Sequence, residues 1–219
     1  DRVLEQMPNL PAALQLRSSI SATMGKFEQA IQDLRKLLEQ DADNLGYKLQ
    51  LAIYLNATGK SREAIEIFSS ILETEPGNAM AIRGRADAYL SVGAHKKAIA
   101  DYEAALKTSP EDSGVLNNFA WVLATSPDDE LRNGQRALDL ARKACELTDY
   151  EAAHILSTLA AAHAEVGDFE QAVKWSKKAC ELGDESVTEQ LKKELESYKN
   201  RQPWRERKSA QDTQADVEI

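Results

Sequence analysis

No stretch of this chain alternates β-branched and polar residues with period two, so a sheet is not expected. No apolar run is long enough to span a bilayer as a helix. Lysine and arginine number 27 against 36 aspartates and glutamates, a net charge of −9. A duplex binder normally carries a basic stripe, so nucleic acid is excluded as the main partner. With 10 glycines and 6 prolines in 219 residues, chain breakers are too few for a loop-rich fold. There is no Cys-x-x-Cys, no His-x-x-x-His and no glycine-rich phosphate loop, which removes the usual signals for metal, redox and nucleotide chemistry. Three histidines remain. His154 and His163 lie nine residues apart, which at about 100° per residue points them to opposite sides of a helix. His163 suits a core slot, and His95, in a turn, is expected to be solvated. Carboxylates such as Glu194 beside Lys193 read as solvated outer faces. No nucleophile stands near a base. We expect no enzyme, no catalytic or metal residue and no cofactor.

What is abundant is alanine, leucine, glutamate and lysine, the composition of a helical protein. Its punctuation is periodic. Glycines fall at Gly25, Gly59 and Gly93, alanines at Ala30, Ala64 and Ala98, and prolines at Pro8, Pro76 and Pro110, with Ala42 in the slot between the first two. All three ladders step by 34, the period of a helix–turn–helix repeat. In "GNAMAIRGRADAYLSVGAHKKAIADYEAALKTSPED", Ile82, Ala86 and Tyr89 form one apolar face of a first helix. Gly93 ends it in the left-handed conformation that glycine adopts cheaply. Ala98, Tyr102 and Ala105 face inward on a second helix, where small residues allow close approach and the aromatic fills the gap. Pro110, lacking an amide donor, stops that helix. Neither helix buries its apolar face alone, so units must stack.

On these residues the chain resembles a tetratricopeptide-repeat array, with signature positions at Ala86, Tyr89, Gly93, Ala98, Tyr102, Ala105 and Pro110. The resemblance implies an all-α fold, a right-handed α-solenoid of stacked antiparallel helix pairs with a C-terminal capping helix. Five units are expected at 11–44, 45–78, 79–112, 113–152 and 153–186. The first is the poorest match, because Arg17 and Ser21 stand where large apolar residues are usual. Residues 1–10 read as the end of a preceding repeat and thus a piece of a longer protein, which deprives a missing signal peptide of weight. The expectation is a soluble segment without membrane insertion, with the cytoplasm favoured. Residues 187–200 predict the capping helix, with Val187, Leu191, Leu195 and Tyr198 on one stripe. Residues 201–219 predict a polar, disordered tail whose basic cluster, Arg201, Arg205, Arg207 and Lys208, is either solvated or docks an acidic partner.

The only cysteines, Cys145 and Cys180, sit in two copies of "KACEL" on the second helices of adjacent units. Such positions lie about two helix-packing steps of 8–10 Å apart, too far for a disulfide, whose Cα atoms lie within about 7 Å. They are expected to be copied packing residues. The fourth unit is irregular, its turn stretched to "TSPDDELRNGQ". Ser126 suits a cap, Pro127 a first helical position, and Asn133-Gly134 a turn; a short extra helical turn is expected. This stretch and the ending "LESYKNRQPWRE" are similar to the last repeats of a widespread group of bacterial repeat proteins.

The resemblance also implies that first helices line a concave groove. The positions beside the packing stripe include Leu49, Ile53, Met80, Arg83, Asp87, Asn117, Asn118 and Trp121, and these are the candidate partner-binding residues. Arg83 and Asp87, at i and i+4, either pair with each other or present charge to a peptide. Trp121 either anchors a partner, as exposed aromatics do, or packs beneath a neighbouring repeat. Asn118 resembles the asparagine with which many groove-type repeats hold a peptide backbone, but Leu16, Gln50, Gly84 and Thr158 do not continue the ladder. Leu49, Gln50 and Ile53 occupy the slots of a carboxylate clamp, so a chaperone-tail receptor is disfavoured. Two functions follow: a scaffold that takes a peptide or helix of a protein partner in the groove, or a self-assembly or spacer module, with homo-oligomers open.

Overall fold

The computed structural model describes residues 2–206. Among them are twelve α-helices, a 3-10 turn at Asp129–Leu131 and no strand. The chain divides into two compact units, Asp1–Val92 and Gly93–Ile219, each taken by itself here.

The first unit contains α1 (Arg2–Gln6), α2 (Pro11–Thr23), α3 (Phe27–Gln40), α4 (Leu45–Ala57), α5 (Ser61–Thr74) and α6 (Ala79–Ser91). Consecutive helices pack on one another, and α4 also touches α6. Local chemistry sets the ends. Asn44 and Asn78 cap α4 and α6 by accepting the amides of Tyr47 and Ala81, the usual role of asparagine at this position. Gly25 and Gly59 adopt φ of 72° and 78°, and the amides of Lys26 and Lys60 return to the carbonyls of Ser21 and Leu55. That chain reversal turns each first helix into an antiparallel second one.

Ala30 and Ala64 are fully buried between such helices, with Leu34 and Phe68 beside them. A Cβ added to Gly84 on α6 would lie 2.3 Å from the ring of Phe68 on α5. The slot equivalent to Asn118 is therefore a packing contact here. The weak first repeat is explained by polar packing. Arg17 Nε and Nη2 donate to the two carboxylate oxygens of fully buried Asp33 at 2.8 and 2.7 Å. Ser18 Oγ donates to the carbonyl of Ala30.

The second unit contains α7 (His95–Thr108), α8 (Ser113–Thr125), α9 (Gly134–Glu146), α10 (Ala153–Glu165), α11 (Phe169–Leu182) and α12 (Glu185–Lys199). Successive helices pack together, and the first helices α8 and α10 touch. Asp112 caps α8 through the amides of Gly114 and Val115. Ala98, Ala137 and Ala172 are fully buried, and the rings of Tyr102 and Phe119 stack at 6.0 Å. The long turn of the fourth repeat holds the expected extra helical turn, at 129–131. Asn133, however, caps α9 by accepting the Arg136 amide, and Gly134 is the first residue of that helix. A Cβ at Gly134 would meet Glu165 and Val166 at 2.9 Å, so glycine lets α9 start hard against the end of α10. Cys145 is buried, its thiol pushed up to about 12 by desolvation, and both cysteines are free.

Two sequence expectations change on α12. Its buried stripe is Leu191, Glu194 and Tyr198, with Val187 exposed. The helix is rotated so that a carboxylate, not a fourth apolar side chain, enters the interface.

Breaking the pair by Asp33→Ala is expected to cost about 2 kcal/mol, because it empties a fully buried position and removes the carboxylate to which Arg17 Nε and Nη2 donate. The double change Arg17→Met, Asp33→Leu should recover most of that loss. Urea denaturation of the three chains checks this, and a single variant within ~0.5 kcal/mol of the parent would contradict it.

Candidate functional site

The sequence-predicted groove residues fall in both units. In the first, Ile53 on α4 and Met80 on α6 are 45% and 61% exposed, whereas Leu49 is buried. Arg83 Nε lies 3.9 Å from Asp87 Oδ2, so the two pair along α6. In the second unit, Asn117 is buried and its side-chain amide donates to Asn118 Oδ1 at 3.0 Å. Trp121 is half-buried.

Trp121 does not face open solvent: its indole Nε1 donates to the carboxylate of Glu206 at 2.5 Å. The expectation of a structureless tail from 201 thus differs from what its first residues do. The chain reverses after α12 because Arg201 takes a positive φ of 57°. The amides of Arg201 and Gln202 then return to the carbonyls of Tyr198 and Ser197, and Ser197 Oγ donates to the carbonyl of Gln202. Pro203 follows, the residue that most surely prevents the helix from resuming. Arg201 lies over the ring of Phe169 at 5.5 Å. Arg207 and Lys208, with the rest of the expected tail to 219, lie outside the described residues.

The reversed segment docks at the C-terminal end of α8. The Glu206 amide donates to the carbonyl of Thr125 at 3.0 Å. Arg205 Nη1 donates to the carbonyl of Ala124, and Nη2 pairs with Glu165 of α10. Unsatisfied carbonyls at a helix C-terminus attract donors and positive charge, which Arg205 supplies. The second Glu206 oxygen lies 3.1 Å from His95 Nε2.

The receiving residues are held independently of the tail. His95, expected to be solvated, is 7% exposed, and its Nδ1 lies 2.9 Å from Ser126 Oγ. Ser126 Oγ also accepts the Asp128 amide, so the serine is held between the turn backbone and His95, whose Nε2 faces Glu206. Arg132 Nε donates to Glu165 at 3.0 Å and Nη1 to the Ser126 carbonyl, while Nη2 pairs with Asp129. The long turn thus supplies the residues that hold His95 and Glu165. Sequence reasoning did not single out His95, Arg132, Glu165 or Glu206; the stretched turn was the available signal.

A second buried carboxylate corrects the reading of Glu194 as surface. Glu194 is 2% exposed and accepts from Ser157 Oγ and Gln190 Nε2. Burial pushes its carboxyl above the ordinary 4.5, against the downward pull of those two hydrogen bonds. Among the described residues no group of three histidine, cysteine or acidic side chains could hold a metal. No helix there is long and apolar enough to cross a membrane.

Comparison with known proteins now adds the family. The tetratricopeptide repeat family matches residues 49–186, and again 11–44. The first match alone covers more than half of the chain, which belongs to the tetratricopeptide-repeat family. This class is that of protein–protein interaction scaffolds, typically non-catalytic. DnaJ homolog subfamily C member 3 of Gallus gallus is 27% identical over 124 residues, 55% of this chain and 25% of that protein. The Rattus norvegicus counterpart is 33% identical over 85 residues, 39% of this chain and 17% of its own. This chain thus spans a quarter or less of the curated relatives it matches. Among solved structures, MamA 41-end from Desulfovibrio magneticus RS-1 superposes with a TM-score of 0.65 at 20% identity, covering 78% of this chain and 94% of that one. TTC0263, a thermophilic tetratricopeptide-repeat protein of Thermus thermophilus, gives 0.66 at 16%, covering 87% and 100%. These likenesses establish the solenoid fold.

The raised Glu194 predicts a pH effect. An acid whose native pKa exceeds its unfolded value gives stability that is full below about 4.5 and lost as pH rises through the native value. Glu194→Gln should raise the urea midpoint at pH 7 and flatten the decline of stability above pH ~4.5. Midpoints between pH 4 and 8 check it, and parallel profiles for the two chains would contradict it.

Proposed function

We propose that the chain is a non-catalytic scaffold whose first-helix face binds a peptide or helix of a protein partner. One observation supports this reading: in the second unit the C-terminal end of the first helix α8 accepts residues 205–206 of the same chain through main-chain and side-chain hydrogen bonds. In the first unit, Ile53 and Met80 offer exposed apolar contact on neighbouring first helices. Methionine adapts its shape to varied apolar partners. Arg83, Asp87 and Asn118 would add polar contacts at the rim. Leu49 and Asn117, being buried, support the face from behind. A protein or peptide is the expected partner, and the net charge of −9 disfavours nucleic acid.

Self-assembly is a second reading, favoured by α2. Leu16, Ile20 and Met24 form one stripe along it and are 62%, 51% and 61% exposed. Residues four apart share a helix face, and an apolar stripe of this kind suits a stacking partner. Size-exclusion chromatography with light scattering separates the readings. A concentration-dependent oligomer abolished by Ile20→Lys supports assembly; a monomer at all concentrations supports the scaffold.

Partner capture on peptide arrays tests the groove. Trp121→Ala and Arg83→Glu should each weaken retained peptides by tenfold or more, about 1.4 kcal/mol, with helical circular dichroism unchanged. Undiminished capture by both folded variants would rule the groove out.

A further inference from the structure

The pocket at the end of α8 reads two adjacent residues of opposite charge. Arg205 and Glu206 part to opposite walls, as successive side chains of an extended chain do. The arginine goes to Glu165 and the Ala124 carbonyl, the glutamate to the Trp121 indole and His95. Two of the receiving side chains are fixed by partners outside the segment: Glu165 by Arg132, His95 by Ser126. The receptor is therefore preorganised, the condition under which a peptide loses least on binding.

The occupant, in contrast, is short: it meets the pocket through the polar contacts of two residues, and Arg201 and Gln202 before it are exposed. The side chains of Arg205 and Glu206 remain 33% and 29% exposed. A preformed receptor and a marginal occupant on one chain make an exchangeable pair.

We propose that residues 202–206 are a resident ligand in cis, and that the His95–Trp121–Glu165 pocket takes a partner's extended peptide carrying consecutive arginine and glutamate in their place. This deepens the scaffold reading by naming the chemistry of the peptide and the contact that restrains its binding. The pocket differs from a carboxylate clamp for a chain end, because it uses an internal glutamate side chain together with the arginine before it. Competition sets the affinity. A tethered segment acts at an effective concentration on the order of 1 mM. A free peptide of similar intrinsic affinity, Kd on the order of 0.1 mM, is then weakened about tenfold.

The test uses the full chain and a fluorescein-labelled peptide of sequence Lys-Asn-Arg-Gln-Pro-Trp-Arg-Glu with an amidated end, followed by fluorescence anisotropy. The Glu206→Gln chain should bind this probe several-fold more tightly than the parent, and Arg205→Ala/Glu206→Gln about tenfold more tightly, the limit set by full release of the segment. Replacing the probe's glutamate by glutamine, or adding Trp121→Phe to the double variant, should remove most of that binding. Equal affinity for parent and variants, or no binding to any, would overturn the proposal and make the segment a fixed structural cap. A parent dimer dissolved by the probe would also overturn it, since the segment would then dock in trans. None of these outcomes bears on peptide capture by Arg83→Glu, so the groove reading stands or falls separately.

Discussion

Close contact at alanine is the constraint on which this architecture rests. Ala30, Ala64, Ala98, Ala137 and Ala172 each begin the inner face of a second helix and are fully buried. A larger side chain there would hold the helices apart and strand Phe68, Tyr102 and Phe119, which fill the adjoining space. A helix pair built this way is two-sided. It buries one face within itself and offers another to its neighbour, so a repeat is completed only by what stacks on it.

The terminal repeats of the second unit meet that demand with more than a helix. α12 covers α11 through Leu191 and Tyr198. The chain then reverses at Arg201 and runs to the end of α8. Its anchor lies where the regular repeat is broken. At the equivalent place in other repeats a glycine reverses the chain tightly. Here the stretched turn brings Ser126 and Arg132 inward, and these position His95 and Glu165. Departure from the period and the presence of a polar pocket thus share one cause.

Much of the fold was legible because it is written in spacing. Glycine, alanine and proline at steps of 34 mark turns, contacts and stops, and each has a local physical reason that needs no tertiary knowledge. The extra helical turn at 129–131 was legible in the same way, although Asp128 caps it where Ser126 was expected to, and Pro127 precedes the cap instead of opening the helix. What could not be read depends on contacts between residues distant in the chain. Glu206 and Trp121 are 85 apart, and Arg205 and Ala124 81; no periodicity links such pairs. His95 read as a turn residue because its polar partners, Ser126 and Glu206, lie far along the chain from it. Arg17 looked like a flaw in the first repeat until Asp33 supplied its partner from the next helix. Glu194 was misread because Leu195 beside it offered the apolar side chain expected of the stripe, whereas Glu194 enters the interface between the correctly expected Leu191 and Tyr198.

The account turns on whether the Trp121 indole is engaged by the chain's own Glu206. The protein has three tryptophans, so an amide-correlation NMR spectrum of the uniformly labelled chain contains three indole signals that single substitutions assign. Slow solvent exchange of the Trp121 indole hydrogen is expected, together with a marked shift of that signal in Glu206→Gln while Trp175 stays in place. An indole of Trp121 that exchanges freely and is indifferent to Glu206→Gln would contradict the account.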